Sequence, residues 1–204
     1  MDLHVDSEGT AFLIFDKGFS LFTISKPSYW KHQDNNELIS YSCVGGKLEE
    51  GENPIEAGKR EVYEEIGIDV HIFSSKVTHL IDLRSNKKVI EYNQAIKPFA
   101  IYYTKFSENL EEDSENSTLL GRVYVYFANL LGDPSPSSEI PALLWLKWED
   151  MLFNISSPMH FNEIRSKGRI IEKLEIPRNS YFSPVMTPEV IGKVFGDIKK
   201  WMNH

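Results

Sequence analysis

The stretch GKLEEGENPIEAGKREVYEEIGI, residues 46–68, decides how the rest of the chain is interpreted. Its pattern predicts a glycine-rich loop that leads into a helix. Asn53 is a favourable N-cap, Pro54 suits the first helical position, and Glu56 is placed to complete a capping box. Gly67 can end the helix in the left-handed conformation. The expected helix therefore begins at Pro54 and ends just before Gly67.

The apolar and acidic side chains of this helix separate onto two faces. At about 100° per residue, one stripe is expected to be buried, and it consists of Ile55, Gly58, Val62 and Ile66. Glu61, Glu64 and Glu65 fall together, because positions three and four apart are neighbours. They repel one another, and the helix dipole disfavours anions near the C-terminus. A solvated acidic face is one interpretation; a site for a hard divalent cation, Mg²⁺ first and Mn²⁺ second, is the other.

The order of residues across the stretch resembles the Nudix hydrolase box. The matching positions are Gly46, Glu52, Arg60, Glu61, Val62, Glu64, Glu65, Gly67 and Ile68. The resemblance implies the Nudix fold and a hydrolase that uses divalent metal ions. Its expected substrate is a small nucleotide-type molecule, a nucleoside diphosphate linked to another moiety, which is cleaved at the pyrophosphate.

The resemblance also implies a set of metal ligands. Glu61 and Glu65 are expected to be the main ligands, and Glu64 is expected to share the coordination. The backbone carbonyl of Gly46 is a further candidate. Glu52 matches a position that supports the metal site through water.

The candidate catalytic residues are Glu64, Glu61, Arg60 and Glu139. Arg60 matches the position that orients a box glutamate by a charge-assisted hydrogen bond. The general base is left open between a box glutamate and a carboxylate on a distant loop. Glu139, which precedes a predicted strand, occupies a place where Nudix proteins often carry such a carboxylate.

Aromatic and basic residues outside the box are candidates for substrate binding. Trp30 or the neighbouring Tyr29 could stack on a base, and Lys31, Arg84 or Arg122 could contact phosphate. Each of them could equally be an ordinary packing or surface residue. The marks that distinguish Nudix subfamilies are absent, so the sequence predicts no particular nucleotide.

Composition indicates a soluble globular protein. The chain has 204 residues, of which 41% are hydrophobic and 25% charged, as expected for one domain. The net charge of −8 argues against non-specific DNA binding. The single cysteine, Cys43, excludes an internal disulfide. There is no signal-peptide pattern and no apolar run of roughly 18 residues, so a cytoplasmic protein without a membrane partner is expected.

The remaining pattern predicts an α+β fold, a mixed β-sheet sandwiched between helices with a helical C-terminal extension. Strands are expected at 10–15, 19–24 and 37–44, and one or two strands at 68–83. Further strands are expected at 89–106, where Pro98 indicates an edge position or a bulge, at 119–131 and finally at 143–148. We expect one domain over 1–204, with a core at about 9–153 and the extension at about 154–204.

Two further segments allow more than one interpretation. The acidic segment 107–118 is either a surface loop or a lid over the site. A helix is expected from Pro188, capped by Thr187 and reaching Trp201, and its apolar stripe is either core or the seam of a homodimer.

Two functions therefore remain open. The complete set of box carboxylates favours a metal-dependent hydrolase. The alternative is a nucleotide-sensing or regulatory module that binds without cleaving, and it is motivated by the missing subfamily marks and the unassigned extension.

Overall fold

A computed structural model of the chain describes residues 5–107, 118–198 and 200. Its helices are α1 (Pro54–Ile66), α2 (Trp148–Asn154), α3 (Phe161–Lys167) and α4 (Thr187–Phe195), with a 3-10 turn at Pro27–Tyr29. The first seven strands are β1 (Ser7–Asp16), β2 (Phe19–Ile24), β3 (Lys31–Gln33), β4 (Asn36–Ser42), β5 (Val44–Lys47), β6 (Val70–Phe73) and β7 (Thr78–Ile81). The others are β8 (Lys87–Ile90), β9 (Ala100–Ser107), β10 (Thr118–Leu130), β11 (Ala142–Leu146), β12 (Met159–His160), β13 (Arg169–Glu172) and β14 (Ser180–Pro184). None of these helices is long and apolar enough to cross a bilayer.

The strands form one mixed sheet. Along its main path the order is β12-β14-β4-β2-β1-β10-β9-β7-β8. Strand β1 pairs in parallel with β10 and antiparallel with β2, as the predicted hairpin requires. Strand β5 pairs antiparallel with the first half of β1, which sets Gly46 opposite Thr10. Because α1 follows β5 after a short loop, the box helix starts beside the centre of the sheet.

Helices cover both faces of this sheet. Alternate residues of β1 point to opposite faces, as the period of a strand requires. Phe12 belongs to one buried cluster together with Val62 of α1. Leu13 belongs to the other cluster, together with Met151 of α2 and Ile191 of α4. The predicted α+β fold with a sheet between helices is therefore confirmed.

The region after α2 contains more strand than its sequence suggested. The helix predicted from Pro188 is present as α4, and α3 is a further helix. Strands β12, β13 and β14 occur as well, so the strand at 143–148 is not the final one. Strand β13 pairs with β11, and β14 pairs in parallel with β4. These strands have two to five residues, too few for an alternating pattern to show.

The C-terminal helix is shorter than predicted. Its first residue is Thr187, so the capping position belongs to Met186. Ile191 and Phe195 of α4, and Ile198 beyond it, are buried in the core, which supports the core interpretation of the stripe. Trp201 and nearly all of the acidic segment 107–118 lie outside the described residues.

Candidate active site

The boundaries of helix α1 are those predicted from the sequence. The side-chain oxygen of Asn53 accepts hydrogen bonds from the backbone N–H groups of Ile55 (3.0 Å) and Glu56 (3.1 Å), and the carboxylate of Glu56 accepts one from the N–H of Asn53 (3.1 Å). Gly67 ends the helix at φ 73°. This capping fixes where the helix starts, and with it the direction of each glutamate.

Two glycines bring α1 close to the sheet. A Cβ atom at Gly58 would lie 2.5 Å from Cζ of Phe12 on β1, so only glycine allows this approach. A Cβ atom at Gly46 would lie 2.2 Å from Oε1 of Glu61. The carboxylate of Glu61 therefore rests directly on the backbone of β5, beside the carbonyl group that the sequence predicts as a metal ligand.

Arg60 joins the box carboxylates. Its Nε donates to Oε1 of Glu52 (2.8 Å), and its Nη2 donates to Oε2 of the same residue (3.0 Å). Its Nη1 donates to Oε1 of Glu61 (2.8 Å) and to Oε2 of Glu64 (3.2 Å). Its Nη2 also donates to the carbonyl of Lys47 (3.0 Å). One guanidinium thus holds the glycine loop and three acids of the box together.

The protonation equilibria of the box acids differ with their surroundings. Hydrogen bonds from Arg60, and then one from the N–H of Glu49, lower the pKa of Glu52 to about 2. Burial raises the pKa of Glu61, against the opposing effect of Arg60. Burial also raises the pKa of Glu65 to about 8, although the N–H of Gly45 opposes it. A cation that approaches Glu61 and Glu65 would favour their charged forms.

Glu65 is fixed from two sides. The N–H of Gly45 donates to its Oε2 (3.2 Å), and its backbone carbonyl accepts a hydrogen bond from the N–H of Ser137 (3.0 Å). Ser137 belongs to the loop that carries Glu139, and Nζ of Lys26 donates to Oε2 of Glu139 (2.7 Å). The helix therefore holds the loop on which a distant catalytic carboxylate was predicted.

A small cavity opens beside Glu65. We call it cavity B; it has a volume of about 190 Å³, and Lys26, Tyr29, Ser42 and Ile140 also line it. Lys26 and Glu139 are exposed, and the hydrogen bond between them lowers the pKa of Glu139 and raises that of Lys26.

A second cavity lies at the glycine pair. We call it cavity A; it has a volume of about 360 Å³ and is lined by Gly45, Gly46 and Ser42, among others. Because both cavities are lined by Ser42, they adjoin one another along β4 and β5. At the edge of cavity A, Nε of Arg122 donates to Oε1 of Glu8 (2.7 Å).

A larger cavity lies elsewhere. Its volume is about 880 Å³, and it lies around Asp16, Trp145 and Arg169. None of the box residues lines it, so volume alone does not identify the active site. The chemistry of the side chains points to cavities A and B.

The donor set of the box suits a hard cation. Glu61, Glu64 and Glu65 offer carboxylate oxygens, which are the ligands of Mg²⁺ and Mn²⁺. Within residues 5–107 and 118–198, no three His, Cys, Asp or Glu side chains are already gathered in a metal-holding group. Arg60 holds Glu61 and Glu64, while Glu65 turns to the N–H of Gly45, so a metal would have to draw these carboxylates together.

Of the candidate substrate-binding residues, Tyr29 lines cavity B and Arg122 lines cavity A, while three others lie in different places. Trp30 packs against the core, and its Nε1 donates to the carbonyl of Ser25 (2.7 Å). Lys31 is exposed on β3, which pairs with β4. Arg84 lies in the turn between β7 and β8, at the other end of the sheet. The structure does not bring Lys31 and Arg84 together, and their contact with substrate stays a prediction.

Sequence reasoning passed over several groups that line the cavities. Lys26 lay in a polar loop without a motif. Val185, Met186 and Thr187 come from the C-terminal extension. Only the unforeseen pairing of β14 with β4 brings them to the site.

Comparison with known proteins agrees with this fold and box. The NUDIX domain family model matches residues 9–165, and the chain belongs to this family of hydrolases. No curated protein sequence matches the chain.

Several solved structures of low identity are similar to the chain. A NUDIX-family hydrolase from Clostridium perfringens is 21% identical, with a TM-score of 0.44, over 73% of this chain and 85% of its own. The dihydroneopterin triphosphate pyrophosphohydrolase of Escherichia coli is 15% identical (TM-score 0.46; 74% and 88%). An ADP-ribose pyrophosphatase from Streptococcus suis is 18% identical (TM-score 0.42; 71% and 75%). At such identities and TM-scores the likeness says nothing about the substrate.

Proposed function

We propose that this Nudix hydrolase depends on a divalent metal and cleaves the pyrophosphate linkage of a nucleoside diphosphate joined to another moiety. The observation that carries the proposal is that Glu61 contacts Gly46 and Glu65 accepts from the N–H of Gly45, so two box acids flank the glycine pair. Arg60 binds Glu61 and the neighbouring Glu64. Such a cluster is costly without a cation to bind. Because the protein has a net charge of −8, it would repel a polyanionic substrate, and a bound cation would offset that repulsion.

The proposed metal ligands are Glu61, Glu65 and Glu64, with the carbonyl of Gly46 and, through water, Glu52. When bound, Mg²⁺ or Mn²⁺ would neutralise phosphate oxygens, activate a water molecule and stabilise the leaving group.

The protein groups themselves have distinct tasks in this proposal. Arg60 offsets the repulsion between Glu61 and Glu64 and keeps their carboxylates beside β5. The N–H of Gly45 orients Glu65. Lys26, at cavity B, offers a cation to phosphate oxygens that the metal leaves exposed. These contacts keep the acids near the glycine pair, and a bound metal would draw their carboxylates together.

The proton acceptor is either Glu64 or Glu139. Glu64 is exposed on α1 and bound on one oxygen by Arg60. Glu139 is exposed and bound by Lys26. Glu64→Gln and Glu139→Gln should be compared over a range of pH. The variant that loses the acidic limb of the rate profile identifies the base.

The proposal is tested with purified protein and a substrate panel. The panel contains nucleoside triphosphates, ADP-ribose, nucleotide sugars and dinucleoside polyphosphates, each with Mg²⁺, with Mn²⁺ and with a chelator. Glu61→Gln and Glu65→Gln should each lower the rate on the order of a hundredfold or more. Glu50→Gln, an exposed acid in the same loop, is the matched control and should keep full activity.

Two outcomes would contradict the proposal in different ways. Activity that survives both substitutions would overturn the assignment of residues. Nucleotide binding without turnover, in Mg²⁺ and in Mn²⁺, would favour the regulatory module. We retain a homodimer and a cytoplasmic location as further proposals, to be tested by light scattering and by cell fractionation.

A further inference from the structure

The turn that leads into α4 lines both cavities of the site. Val185 lines cavity B together with Glu65, and Met186 and Thr187 line cavity A together with Gly46. The family match ends at residue 165, so this turn comes from a part of the chain outside it. The C-terminal extension therefore adds walls to a site whose chemistry belongs to the box.

This turn is held in place on both sides. Strand β14 runs parallel to β4, and beyond it the N–H of Val185 donates to the carbonyl of Tyr41 (3.0 Å). The hydroxyl groups of Thr187 and Tyr102 are hydrogen-bonded at 2.9 Å and are buried. Met186 between them has little freedom of backbone movement.

Met186 itself is unusual in backbone and in exposure. Its φ of 56° and ψ of −121° lie in a region that costs a residue with a side chain energy. Its side chain is 55% exposed, although methionine is apolar. Strained residues of this kind occur at ligand sites.

Most of the surface of cavity A is apolar. Its walls include Ala11, Cys43, Tyr102 and Val123, and charged side chains also line it (Glu8, Lys47 and Arg122). The acids that would bind metal and phosphate lie at its glycine edge, where Glu61 contacts Gly46. A ligand with its phosphates at those acids would direct its other end into cavity A. Thioether sulfur packs favourably on aromatic rings.

We propose that Met186 covers the nucleobase of the substrate in cavity A and is a specificity-determining residue. The inference rests on the proposed function, because it takes the substrate to be a nucleoside diphosphate derivative. Thr187 and Tyr102 are positioning residues, since they hold the turn that presents Met186.

The test compares ligands with and without a base. Titration calorimetry in the presence of Ca²⁺ measures the binding of ADP, GDP, CDP, UDP and inorganic pyrophosphate. For the nucleotide that binds most tightly, Met186→Ala should weaken binding about three- to tenfold. Pyrophosphate binding should change by less than about twofold, because pyrophosphate has no base to contact Met186. Leu131→Ala, which truncates another exposed apolar side chain, should leave both affinities unchanged.

Met186→Gly separates binding from folding. Glycine accepts the left-handed φ without strain, so this variant should unfold at a higher temperature than Met186→Ala. It should nevertheless show the same loss of nucleotide binding. If the more stable variant, Met186→Gly, bound nucleotide as tightly as the wild type while Met186→Ala did not, the proposal would be overturned.

Other results would also overturn it. These are unchanged nucleotide affinity in Met186→Ala, equal weakening for pyrophosphate, or a wild-type protein that binds no nucleotide more tightly than pyrophosphate. Hydrolysis assays keep this inference separate from the proposed function. Base-dependent binding without hydrolysis would contradict the proposed function and leave this inference standing. Hydrolysis that Met186→Ala leaves unchanged for every base would contradict this inference and leave the proposed function standing.

Discussion

Arg60 and Glu52 face each other with two parallel hydrogen bonds, from Nε to Oε1 (2.8 Å) and from Nη2 to Oε2 (3.0 Å). This bidentate geometry fixes the plane of the guanidinium. The third nitrogen, Nη1, is thereby directed at Glu61 and Glu64. Glu52 acts on the candidate metal ligands through Arg60.

Replacing Glu52 should therefore lower activity without unfolding the protein. In Glu52→Gln the negative charge is lost, and an NH2 group, which is a donor, replaces one of the two acceptor oxygens. Arg60 is then no longer held in one plane. We expect a decrease in kcat/KM of about 10- to 100-fold and a weaker apparent affinity for Mg²⁺. Steady-state kinetics over a range of Mg²⁺ concentrations measures both quantities.

Glu50→Gln is the control for this prediction, since it removes an exposed carboxylate two residues away. Full activity in Glu52→Gln would show that Arg60 keeps its orientation without this partner.

The neighbouring glycines should respond differently to alanine. In Gly46→Ala the new Cβ meets the carboxylate of Glu61 at 2.2 Å, and a flexible side chain can move away. Activity should fall about a hundredfold, while the melting temperature changes little. In Gly45→Ala the Cβ meets the backbone oxygen of Thr10 at 2.2 Å, at a φ of 149°. The free energy of unfolding should then fall by about 1–3 kcal/mol or more.

Thermal denaturation and kinetics on the two variants test this contrast. Equal losses of stability in both would show that Glu61 cannot move away from position 46, contrary to the prediction.

The cap of α1 should contribute measurably to stability. Asn53→Ala removes the acceptor of two backbone N–H groups and should lower the free energy of unfolding by about 1 kcal/mol. Asn53→Asp keeps an acceptor at the N-cap and should be close to wild type. Urea denaturation of the wild type and the two variants measures the difference. If Asn53→Asp were as unstable as Asn53→Ala, capping would not be the cause.

Glu172 should make stability depend on pH. Burial alone would raise its pKa, but hydrogen bonds from Arg178 (2.8 Å) and from the N–H of Ile176 (3.1 Å) outweigh burial and lower it. The folded-state pKa thus lies below the unfolded value of about 4.3. This stabilisation is fully present above pH about 4.3 and is lost as the pH falls through the folded-state pKa.

Glu172→Gln should therefore lower the free energy of unfolding by about 1 kcal/mol at pH 7 and by less at pH 3. Urea denaturation at the two pH values is the measurement, with the exposed Glu91→Gln as control. A loss of the same size at both pH values would contradict the assignment.

Helix α1 shows how much of the site could be predicted. Its cap at Asn53, its end at Gly67 and the common face of Glu61, Glu64 and Glu65 all follow from residues within four positions of one another. The role of Arg60 was predicted for one box glutamate, and in the structure it contacts Glu52 as well as two acids of the helix. That wider network depends on the loop folding back onto the helix, which spacing alone does not describe.

Trp30 and Met186 show the opposite case. The sequence made Trp30 a candidate for stacking, but whether an aromatic ring packs in the core or faces a ligand depends on what the fold places beside it. Met186 gave no signal at all, because it reaches the box only through the pairing of β14 with β4.

The sequence by itself determined the box helix, its boundaries, its carboxylate face and the family. Periodicity, capping and helix-end signals are interactions between near neighbours, so they can be seen in the order of residues. Only the tertiary structure decided that the C-terminal extension joins the sheet and lines the cavities of the site. Short strands from distant parts of the chain find each other through burial and backbone hydrogen bonds, which any suitable residues can make, and they leave no local pattern.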